Sequence, residues 1–394
     1  MKKNLINEFD LIDSLIIHKP SNEIAQMKFE NLNSDDKEKY LLFDDILYYE
    51  KALKEHNEFT DTIKAFTNKK NCLELDALLR EVLSNKKTRK DFISDIGCSI
   101  ADCKGCDSII NMVLTGDNYQ SVSLPNIMFT RDLGVSIGNS IIITWASNKV
   151  RNPENIIAKY IIKNHSLFSE YNIYDFHENH PDLSLEGGDV ILINKETIAI
   201  GVSERTSKAS VEAIAPFLYK NGIKYIMCFN MPKERRFMHL DTVFSVINKD
   251  EAIIYPPFFE DGNSQELDVD IITTSKSDTL SSVTLKASNA FKKIGIDFNF
   301  IRCGGEYFQE EEQWTDGANA FCLCPGVIIL YDRNNQTIKE LQKHGYNKIS
   351  ANVFLAQKNY FDRSKKTVIT IESGELSRGR GGPRCMTMPI NRIK

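Results

Sequence analysis

Residues 129–144, Phe-Thr-Arg-Asp-Leu-Gly-Val-Ser-Ile-Gly-Asn-Ser-Ile-Ile-Ile-Thr, contain the unit from which the fold can be predicted. The unit begins with a polar cluster that includes Asp132, and a strand is predicted at 135–137. The chain turns at Gly138 and its neighbouring asparagine, then returns as the β-branched run 141–144. Glycine and asparagine between two apolar runs indicate a β-hairpin.

The same order of acidic residue, hairpin and helix recurs three more times along the chain. Recurrence of one supersecondary unit predicts a ring or a solenoid of repeats, and a ring would bring the leading acids together at its centre. The leading acids are Asp132, Glu186, Asp241 and Asp316. The predicted strand pairs are 135–137 with 141–144, 190–193 with 197–202, a strand turning at 248–250 with 252–255, and 320–324 with 327–331. The predicted helices are 153–164, 206–220, 280–293 and 335–344.

The two ends of the chain could close the ring as a fifth copy. The N-terminal part would supply a strand at 11–18 and a helix at 35–57, and the C-terminal part would supply 384–391. The helix is predicted from apolar residues three or four positions apart, which form one core-facing stripe: Leu42, Ile46, Tyr49 and Leu53.

Residues 68–118 break the repeat, since they show helical leucine spacing and no β-rich run. We therefore expect a single catalytic α/β domain over 1–394, with a helical insertion at 68–118.

Composition and charge exclude several classes of protein. The 394 residues are 42% hydrophobic and 26% charged, an ordinary balance for a globular chain. The net charge of −5 argues against nucleic acid as a partner, because phosphate binding needs a basic face. No apolar run approaches the ~20 residues of a membrane span, and the polar N-terminus lacks a signal peptide. We expect a cytoplasmic protein without a membrane partner, present as a homo-oligomer of two or more copies.

His239-Leu240-Asp241 is the sharpest local signal for chemistry. If this segment is a strand, residues two apart share a face, so an imidazole and a carboxylate would project side by side. The alternative is an exposed strand with two polar residues.

Glu186-Gly187-Gly188-Asp189 precedes a predicted strand. Paired glycines permit positive φ angles and close backbone approach, which suits a site where chains converge. A tight turn with flanking acids is the alternative.

Cys385 follows a stretch, 377–384, that contains three arginines and three glycines. The thiolate is the nucleophilic form of cysteine, and nearby cations favour it, so the stretch suggests an electropositive, mobile loop around a nucleophile. A flexible basic tail with an incidental buried thiol is the alternative.

The other cysteines carry weaker signals. With nine cysteines and no export signal, reduced thiols are expected. Cys98, Cys103 and Cys106 have a spacing that resembles an iron–sulfur motif, but no fourth ligand lies near, which favours packed or surface thiols. The acidic run 310–312 indicates a solvated face.

Taken together, the motifs resemble the arginine deiminase family, within the guanidine-modifying (pentein) superfamily. They follow the family order over nearly the whole chain. The matching segments are 41–46 (Leu-Leu-Phe-Asp-Asp-Ile), 125–132 (Pro-Asn-Ile-Met-Phe-Thr-Arg-Asp), 185–189 (Leu-Glu-Gly-Gly-Asp), 201–206 (Gly-Val-Ser-Glu-Arg-Thr), 238–242 (Met-His-Leu-Asp-Thr) and 374–389.

The resemblance implies a five-fold pseudosymmetric α/β propeller with a helical insertion, and hydrolysis of free L-arginine to L-citrulline and ammonia without a metal or organic cofactor. Carried over residue by residue, it implies the following roles: Cys385 as nucleophile, Asp132 and Asp241 as guanidinium acceptors, His239 as proton shuttle, Glu186 as its support, Asn126, Arg151 and Arg205 as ligands of the substrate α-carboxylate, and Arg380 in a loop over the site.

Elementary chemistry agrees with these roles. A guanidinium group is planar and permanently charged, and carboxylates accept its hydrogen bonds in pairs. Buried acids beside a thiol raise its pKa, so the thiolate needs a cation, either the substrate or protonated His239.

The sequence departs from the family pattern at Leu133-Gly134. Two alternatives stay open: another guanidine substrate (methylarginine, agmatine or peptidyl-arginine), or a non-catalytic arginine-binding protein.

Overall fold

The structure, a computed structural model, describes residues 5–32, 40–67, 69–97, 105–117, 122–274 and 280–394. Its framework consists of short strands with apolar side chains on both faces. The run Ile141-Ile142-Ile143 is a typical case, since all three side chains are buried. Strands covered on both faces read as continuous apolar runs, which is why the sequence locates them well. The architecture is mixed α/β.

The strands fall into five sheets. They are β1 (Leu11–Ile17), β2 (Cys72–Glu74), β3 (Gly134–Ile137), β4 (Ser140–Ile143), β5 (Asn172–Asp175), β6 (Val190–Asn194), β7 (Thr197–Val202), β8 (Tyr225–Asn230), β9 (Phe244–Asn248), β10 (Glu251–Ile254), β11 (Asp268–Thr274), β12 (Leu280–Lys286), β13 (Asn299–Arg302), β14 (Phe321–Cys324), β15 (Val327–Tyr331), β16 (Asn347–Ser350), β17 (Thr367–Ile371) and β18 (Met388–Ile393).

One three-stranded motif recurs in every sheet: two antiparallel strands, with a third strand parallel to the second. The five instances are β18-β1-β2, β3-β4-β5, β6-β7-β8, β9-β10-β13 and β14-β15-β17. The third sheet is extended by β11 and β12, and the fifth by β16. The predicted hairpins are confirmed, and so is the contribution of both chain ends to one sheet.

Neighbouring sheets touch in a cyclic order. Strand β18 lies against β3, β6 against β9, β9 against β14, and β14 against β1. Val135 of β3 and Val190 of β6 share one apolar cluster, which joins the remaining pair of sheets.

Helices lie between the second and third strands of each motif, since parallel strands require a crossover, and also between consecutive motifs. They are α1 (Asn22–Ala25), α2 (Phe29–Leu32), α3 (Tyr49–Phe66), α4 (Leu75–Leu83), α5 (Lys86–Ile96), α6 (Cys106–Thr115), α7 (Asn152–Asn164), α8 (Phe176–Asn179), α9 (Lys208–Lys220), α10 (Pro256–Phe259), α11 (Ala287–Lys293), α12 (Gln309–Trp314), α13 (Asn335–Lys343) and α14 (Ala351–Gln357). The Ser207 side chain caps α9 by accepting from the Ser210 N–H.

The predicted helix at 280–293 is wrong in its first half. Residues 280–286 form β12, which pairs antiparallel with β11 along seven residues, and the helix α11 begins only at Ala287. The sequence Leu-Ser-Ser-Val-Thr-Leu alternates apolar and polar residues weakly, and pairing with the neighbouring strand decides its conformation.

The predicted helix at 35–57 is also displaced. Residues 35–39 lie outside the described part of the chain, 40–48 are not helical, and α3 runs from Tyr49 to Phe66. Within this non-helical stretch, Asp44 and Asp45 form ion pairs with two arginines far along the chain, Arg235 and Arg378. The expected stripe is therefore replaced by a buried face that includes Ala52, Phe59 and Ile63.

Within 68–118, the described residues contain the helices α4, α5 and α6 and one short strand, β2. That strand pairs with β1, so the segment is tied to the terminal sheet at its start. Residues 98–104 lie outside the described part, and Cys98 and Cys103 with them. Among the described helices, none is long and apolar enough to cross a membrane.

Candidate active site

Cys385 and the leading acids occupy the same place in their motifs, at most five residues before the first strand of each hairpin. Asp132 precedes β3, Glu186 precedes β6, Asp241 precedes β9 and Asp316 precedes β14, and Cys385 precedes β18. All five side chains are buried. Cys385 thus stands in the fifth copy where an acid stands in the others.

The imidazole half of the site is centred on His239, which is 4% exposed. Its Nε2 lies 2.8 Å from Oε2 of Glu186, and its Nδ1 lies 3.9 Å from Oδ1 of Asp132. The main-chain N–H of Gly188 donates to the same Asp132 oxygen at 3.0 Å. The ring therefore lies between two carboxylates.

Two buried arginines balance these carboxylates. Arg151 places NH1 2.7 Å from Asp132 Oδ2 and its Nε 2.8 Å from Glu154 Oε2. Arg205 places NH1 3.6 Å from Glu186 Oε2. Although burial raises the pKa of Glu186, Arg205, His239 and Arg151 together bring it below its ordinary value.

Burial by itself lowers the pKa of His239, but the acids around it, Asp132, Glu186 and Asp189, outweigh burial and raise the pKa to about 10. The imidazole is therefore protonated at neutral pH and can act as an acid.

The thiol half is centred on Cys385. Its Sγ lies 3.7 Å from Oδ2 of Asp241 and 3.2 Å from Nδ2 of Asn319. Arg384 donates from NH1 to the same Asp241 oxygen at 2.8 Å and from NH2 to Glu8 at 3.0 Å. Burial and the negative charges of Asp241, Asp132 and Asp316 raise the pKa of the thiol well above its ordinary value. A thiol in this setting needs an additional positive charge to ionise.

The two halves meet because their chain segments are bonded to each other. The main-chain N–H of Arg131 donates to the carbonyl of Cys385 at 3.0 Å. Gly187 and Gly188 permit close packing: a Cβ on Gly187 would lie 2.0 Å from the Arg131 carbonyl oxygen, and one on Gly188 would lie 2.4 Å from Nδ1 of His239. Neither glycine has a positive φ angle, so close approach of the backbone is the property that matters at these two positions.

The strand predicted around His239 and Asp241 is wrong. Residues 240–242 form a single 3₁₀ turn, and β9 begins at Phe244. The two side chains therefore diverge: His239 contacts Glu186, and Asp241 contacts Arg384 and Cys385. The tertiary contacts of the segment override its strand-like composition.

The alternative of a flexible basic tail is also wrong, because 379–391 is buried throughout. The three arginines have separate partners: Arg378 pairs with Asp45, Arg384 with Asp241, and Arg380 lies over the Trp314 ring at 3.7 Å from its centroid. Arg380 also lies 3.3 Å from Asp44 and bonds to the Trp314 carbonyl. The stretch is thus an interior segment. It is neither the flexible tail nor the mobile, electropositive loop expected from its glycines and arginines, and the pKa of Cys385 is raised within it.

The residues expected at the substrate α-carboxylate lie at the imidazole half. The side chain of Asn126 donates to the Leu41 carbonyl at 2.5 Å, and the main-chain carbonyl of Asn126 accepts from Arg151 at 3.3 Å. Arg205 is 2% exposed, and its Nε has no hydrogen-bond partner among the described residues. Their role toward a substrate stays a prediction.

Several residues of the site have no role in the sequence-based prediction: Asn319, Arg384, Asp189, Glu154 and Glu8. Asp189 accepts from the main-chain N–H of Leu240 at 3.0 Å and from Ser203 at 2.6 Å, and burial raises its pKa to about 7. The signal available for Asp189 and Arg384 was their position beside Glu186-Gly187-Gly188 and Cys385. Asn319 had no local signal beyond its place near Asp316.

Asp132, Glu186 and His239 could in principle bind a metal ion, since each offers a ligand atom within 4.8 Å of the others. However, the two carboxylates already face Arg151, Arg205 and a protonated imidazole. A divalent cation would add positive charge to a cluster in which cations outnumber these two acids, which makes it a poor metal site.

The family model and the relatives that match this chain share one description. A family model described as arginine deiminase matches residues 99–392. An arginine deiminase of Borrelia duttonii is 33% identical over 99% of this chain and 98% of its own length, and one of Bacillus cereus is 31% identical with the same coverage.

Solved structures add a likeness of fold. A dimethylarginine dimethylaminohydrolase structure superposes with a TM-score of 0.54 at 14% sequence identity, covering 97% of this chain and 100% of that chain. A structure of DDAH from Pseudomonas aeruginosa gives the same values. From the match of the family model and the full-length relatives, we conclude that this chain belongs to the arginine deiminase family.

Proposed function

We propose that this chain hydrolyses free L-arginine to L-citrulline and ammonia through a covalent intermediate on Cys385. The observation that carries the proposal is the thiol of Cys385 beside Asp241, in the same buried centre as the His239–Glu186–Asp132 cluster. The relatives named arginine deiminase, matched over nearly their whole length, support the same reaction.

Substrate binding would use the charges of both halves. Asp132 and Asp241 are buried carboxylates from different motifs, and a guanidinium between them would be held in a plane with its carbon facing Cys385. The arriving cation would also lower the pKa of the thiol, since it offsets the acids that raise it. The thiol would then lose its proton to water and become a nucleophile.

The first chemical step forms a bond between Sγ and the guanidinium carbon. His239, protonated in the resting site, donates its proton to one terminal nitrogen, which leaves as ammonia. An S-alkylthiouronium remains on Cys385. Glu186 holds the imidazole in place and stabilises its charge through the 2.8 Å contact.

The second step consumes water. Neutral His239 takes a proton from a water molecule as its oxygen attacks the thiouronium carbon. The carbon–sulfur bond breaks and its electron pair returns to sulfur. The proton left on the new oxygen passes to solvent, and citrulline leaves. Arg151 and Arg205 are the candidates for the α-carboxylate, together with Asn126, and Arg380 is the candidate for the loop over the site.

We also propose the finer architecture. Five sheets with one shared motif, touching in cyclic order, would be the blades of a five-fold pseudosymmetric propeller with 68–118 as a helical insertion in a single catalytic domain. A homo-oligomer in the cytoplasm remains part of the proposal.

The test is direct. Purified protein is incubated with L-arginine, and citrulline and ammonia are measured together, with the Cys385→Ala variant as control. We expect equimolar products from the wild type and a loss of at least ~10⁴-fold in the variant, as for removal of a covalent nucleophile. No product above the Cys385→Ala background would end the proposal.

A substrate panel sharpens the result. Agmatine lacks the carboxylate that Arg151 and Arg205 would bind, so arginine should be preferred by a wide margin. A preference for agmatine, a methylated arginine or peptidyl-arginine would move the proposal to another guanidine.

A further inference from the structure

Asn319 lies where the main chain of the nucleophile meets Asp241. It is fully buried and precedes β14 by two residues. Its side-chain amide makes four hydrogen bonds, which is the full capacity of the group.

The oxygen of this amide anchors the backbone on both sides of the reacting residue. Oδ1 accepts from the main-chain N–H of Arg384 at 3.0 Å and from that of Cys385 at 3.2 Å. Because both groups are N–H donors, the oxygen must face them, and the orientation of the amide is fixed. The NH₂ group must then face the other way.

The NH₂ group points at the sulfur. Nδ2 donates to the main-chain oxygen of Asp241 at 3.0 Å and lies 3.2 Å from Sγ of Cys385. The chain is shaped for this contact, because a Cβ on Gly382 would lie 2.7 Å from Oδ1 of Asn319. The glycine leaves room for the amide.

The other groups around the sulfur mostly oppose its negative form. The titratable and charged groups that act on the thiol or feel its charge are Asp132, Asp241, Asp316, Tyr331 and Arg380. Of these groups only Arg380 is a cation, and its guanidinium is stacked on Trp314. The guanidinium of Arg384 also lies near the sulfur, but it is bonded to Asp241 and Glu8. An oriented N–H donor in direct contact is therefore a distinctive source of support for a thiolate.

We propose that Asn319 is a further catalytic residue, whose amide holds the backbone of Cys385 with its oxygen and stabilises the thiolate with its N–H. The proposal rests on the nucleophilic role given to Cys385 above. The same hydrogen bond acts twice: when the thiol has lost its proton and sulfur attacks carbon, and when the carbon–sulfur bond breaks and the electron pair returns to sulfur.

The experiment measures the thiolate without turnover. Alkylation of Cys385 by iodoacetamide is followed by mass spectrometry at a series of pH values, in wild type, Asn319→Asp and Asn319→Ala, with Cys385→Ala as background. The aspartate keeps an oxygen for the two N–H groups but replaces the donor with a negative charge. We expect its alkylation at fixed pH to slow by roughly 10- to 100-fold, with a comparable fall in kcat/KM.

Asn319→Ala loses the donor without adding charge, so its alkylation should fall between wild type and Asn319→Asp. It also carries the test if the aspartate variant fails to fold. The matched control is Asn334→Asp, another fully buried asparagine, which bonds to Thr315 and does not touch Cys385. It should leave alkylation at the wild-type rate.

Wild-type alkylation rates in folded Asn319→Asp and Asn319→Ala would overturn the proposal. Because alkylation needs no arginine, its outcome is separate from that of the proposed function. If the wild type does not hydrolyse arginine, but alkylation slows from wild type to Asn319→Ala to Asn319→Asp, the proposed function is wrong and the role of Asn319 toward the thiol stands. A wild type that hydrolyses arginine without that order would do the reverse.

Discussion

The two halves of the site treat charge in opposite ways. In the imidazole half, Glu186 is kept ionised by Arg205, His239 and Arg151, and His239 is kept protonated by its acids, with a pKa raised to about 10. In the thiol half, burial and three carboxylates raise the pKa of Cys385 and hold it neutral. The imidazole half thus stabilises the charged forms of Glu186 and His239, whereas the thiol half stabilises the neutral form of Cys385.

This difference indicates the source of the positive charge that the Cys385 thiol needs in order to ionise. His239 is already paired with Glu186, so its charge is largely committed to the imidazole half. A guanidinium bound between Asp132 and Asp241 would supply positive charge to the thiol half at the moment of reaction. A bound substrate would then increase the ionised fraction of the nucleophile.

Apart from the loss of Cys385 itself, the largest effect is expected from removing His239, the centre of the imidazole half. His239→Ala should lower kcat by ~10²–10⁴-fold, the range of a lost general acid and base, with a smaller change in KM. Steady-state citrulline formation measures both constants. His180→Ala serves as control, since His180 lies outside the site and bonds to Tyr174. A His239→Ala variant with near-normal kcat would remove the proton-shuttle role.

A smaller effect should follow from weakening the same half. Glu186→Gln keeps the shape but removes a charge that raises the pKa of His239. We expect kcat to fall by roughly 10- to 100-fold, as for loss of a buried charge-assisted hydrogen bond. The high-pH limb of the kcat profile, where His239 loses its proton, should move to lower pH.

A full pH–rate profile checks this shift. Glu251→Gln is the matched control, because Glu251 is also buried but pairs with Lys366 away from the site. If the limb stays in place in Glu186→Gln, the carboxylate does not set the proton affinity of the imidazole.

The smallest effect is expected at Asp316, near the thiol half, and it concerns stability. Burial raises the pKa of Asp316 to about 7, well above the ordinary value for an aspartate, and its Oδ2 has no hydrogen-bond partner among the described residues. The folded state therefore holds this proton longer than the unfolded chain, so stability falls as the pH rises from about 4 through about 7. Asp316→Asn removes that loss.

Differential scanning fluorimetry at pH 5 and pH 8 measures the consequence. The asparagine variant should melt roughly 2–5 °C above wild type at pH 8, with a smaller gain at pH 5. The positive φ of 63° at this position suits asparagine. Equal gains at both pH values would show that ionisation of Asp316 is not the cause.

The hairpins could be located from the sequence, because buried strands leave continuous apolar runs such as 141–143 and 327–331. The prediction failed at 280–286 and at 40–48, where local composition is ambiguous and distant partners decide the structure. Asp44 shows why: its partner Arg235 lies far along the chain, and no spacing rule connects the two.

The candidate site divides in the same way. Asp132, Glu186, His239, Asp241 and Cys385 stand in short motifs, and the structure brings them together, although their roles remain proposals. Asn319 has no motif, because its importance arises only when the 382–385 segment packs against it. The geometry of His239-Leu240-Asp241 was mistaken for the same reason, since a turn and a strand differ little in composition.

The pairing of β1 with β18 has a consequence for synthesis of the protein. Leu11 is matched with Ile393, so nearly the whole chain separates two neighbouring strands. Contacts of such separation form late, after a large loss of chain entropy. During synthesis, the residues around His239 are made well before the segment that carries Cys385. The site is therefore completed in one late step, when the segment that carries Cys385 joins the residues made before it.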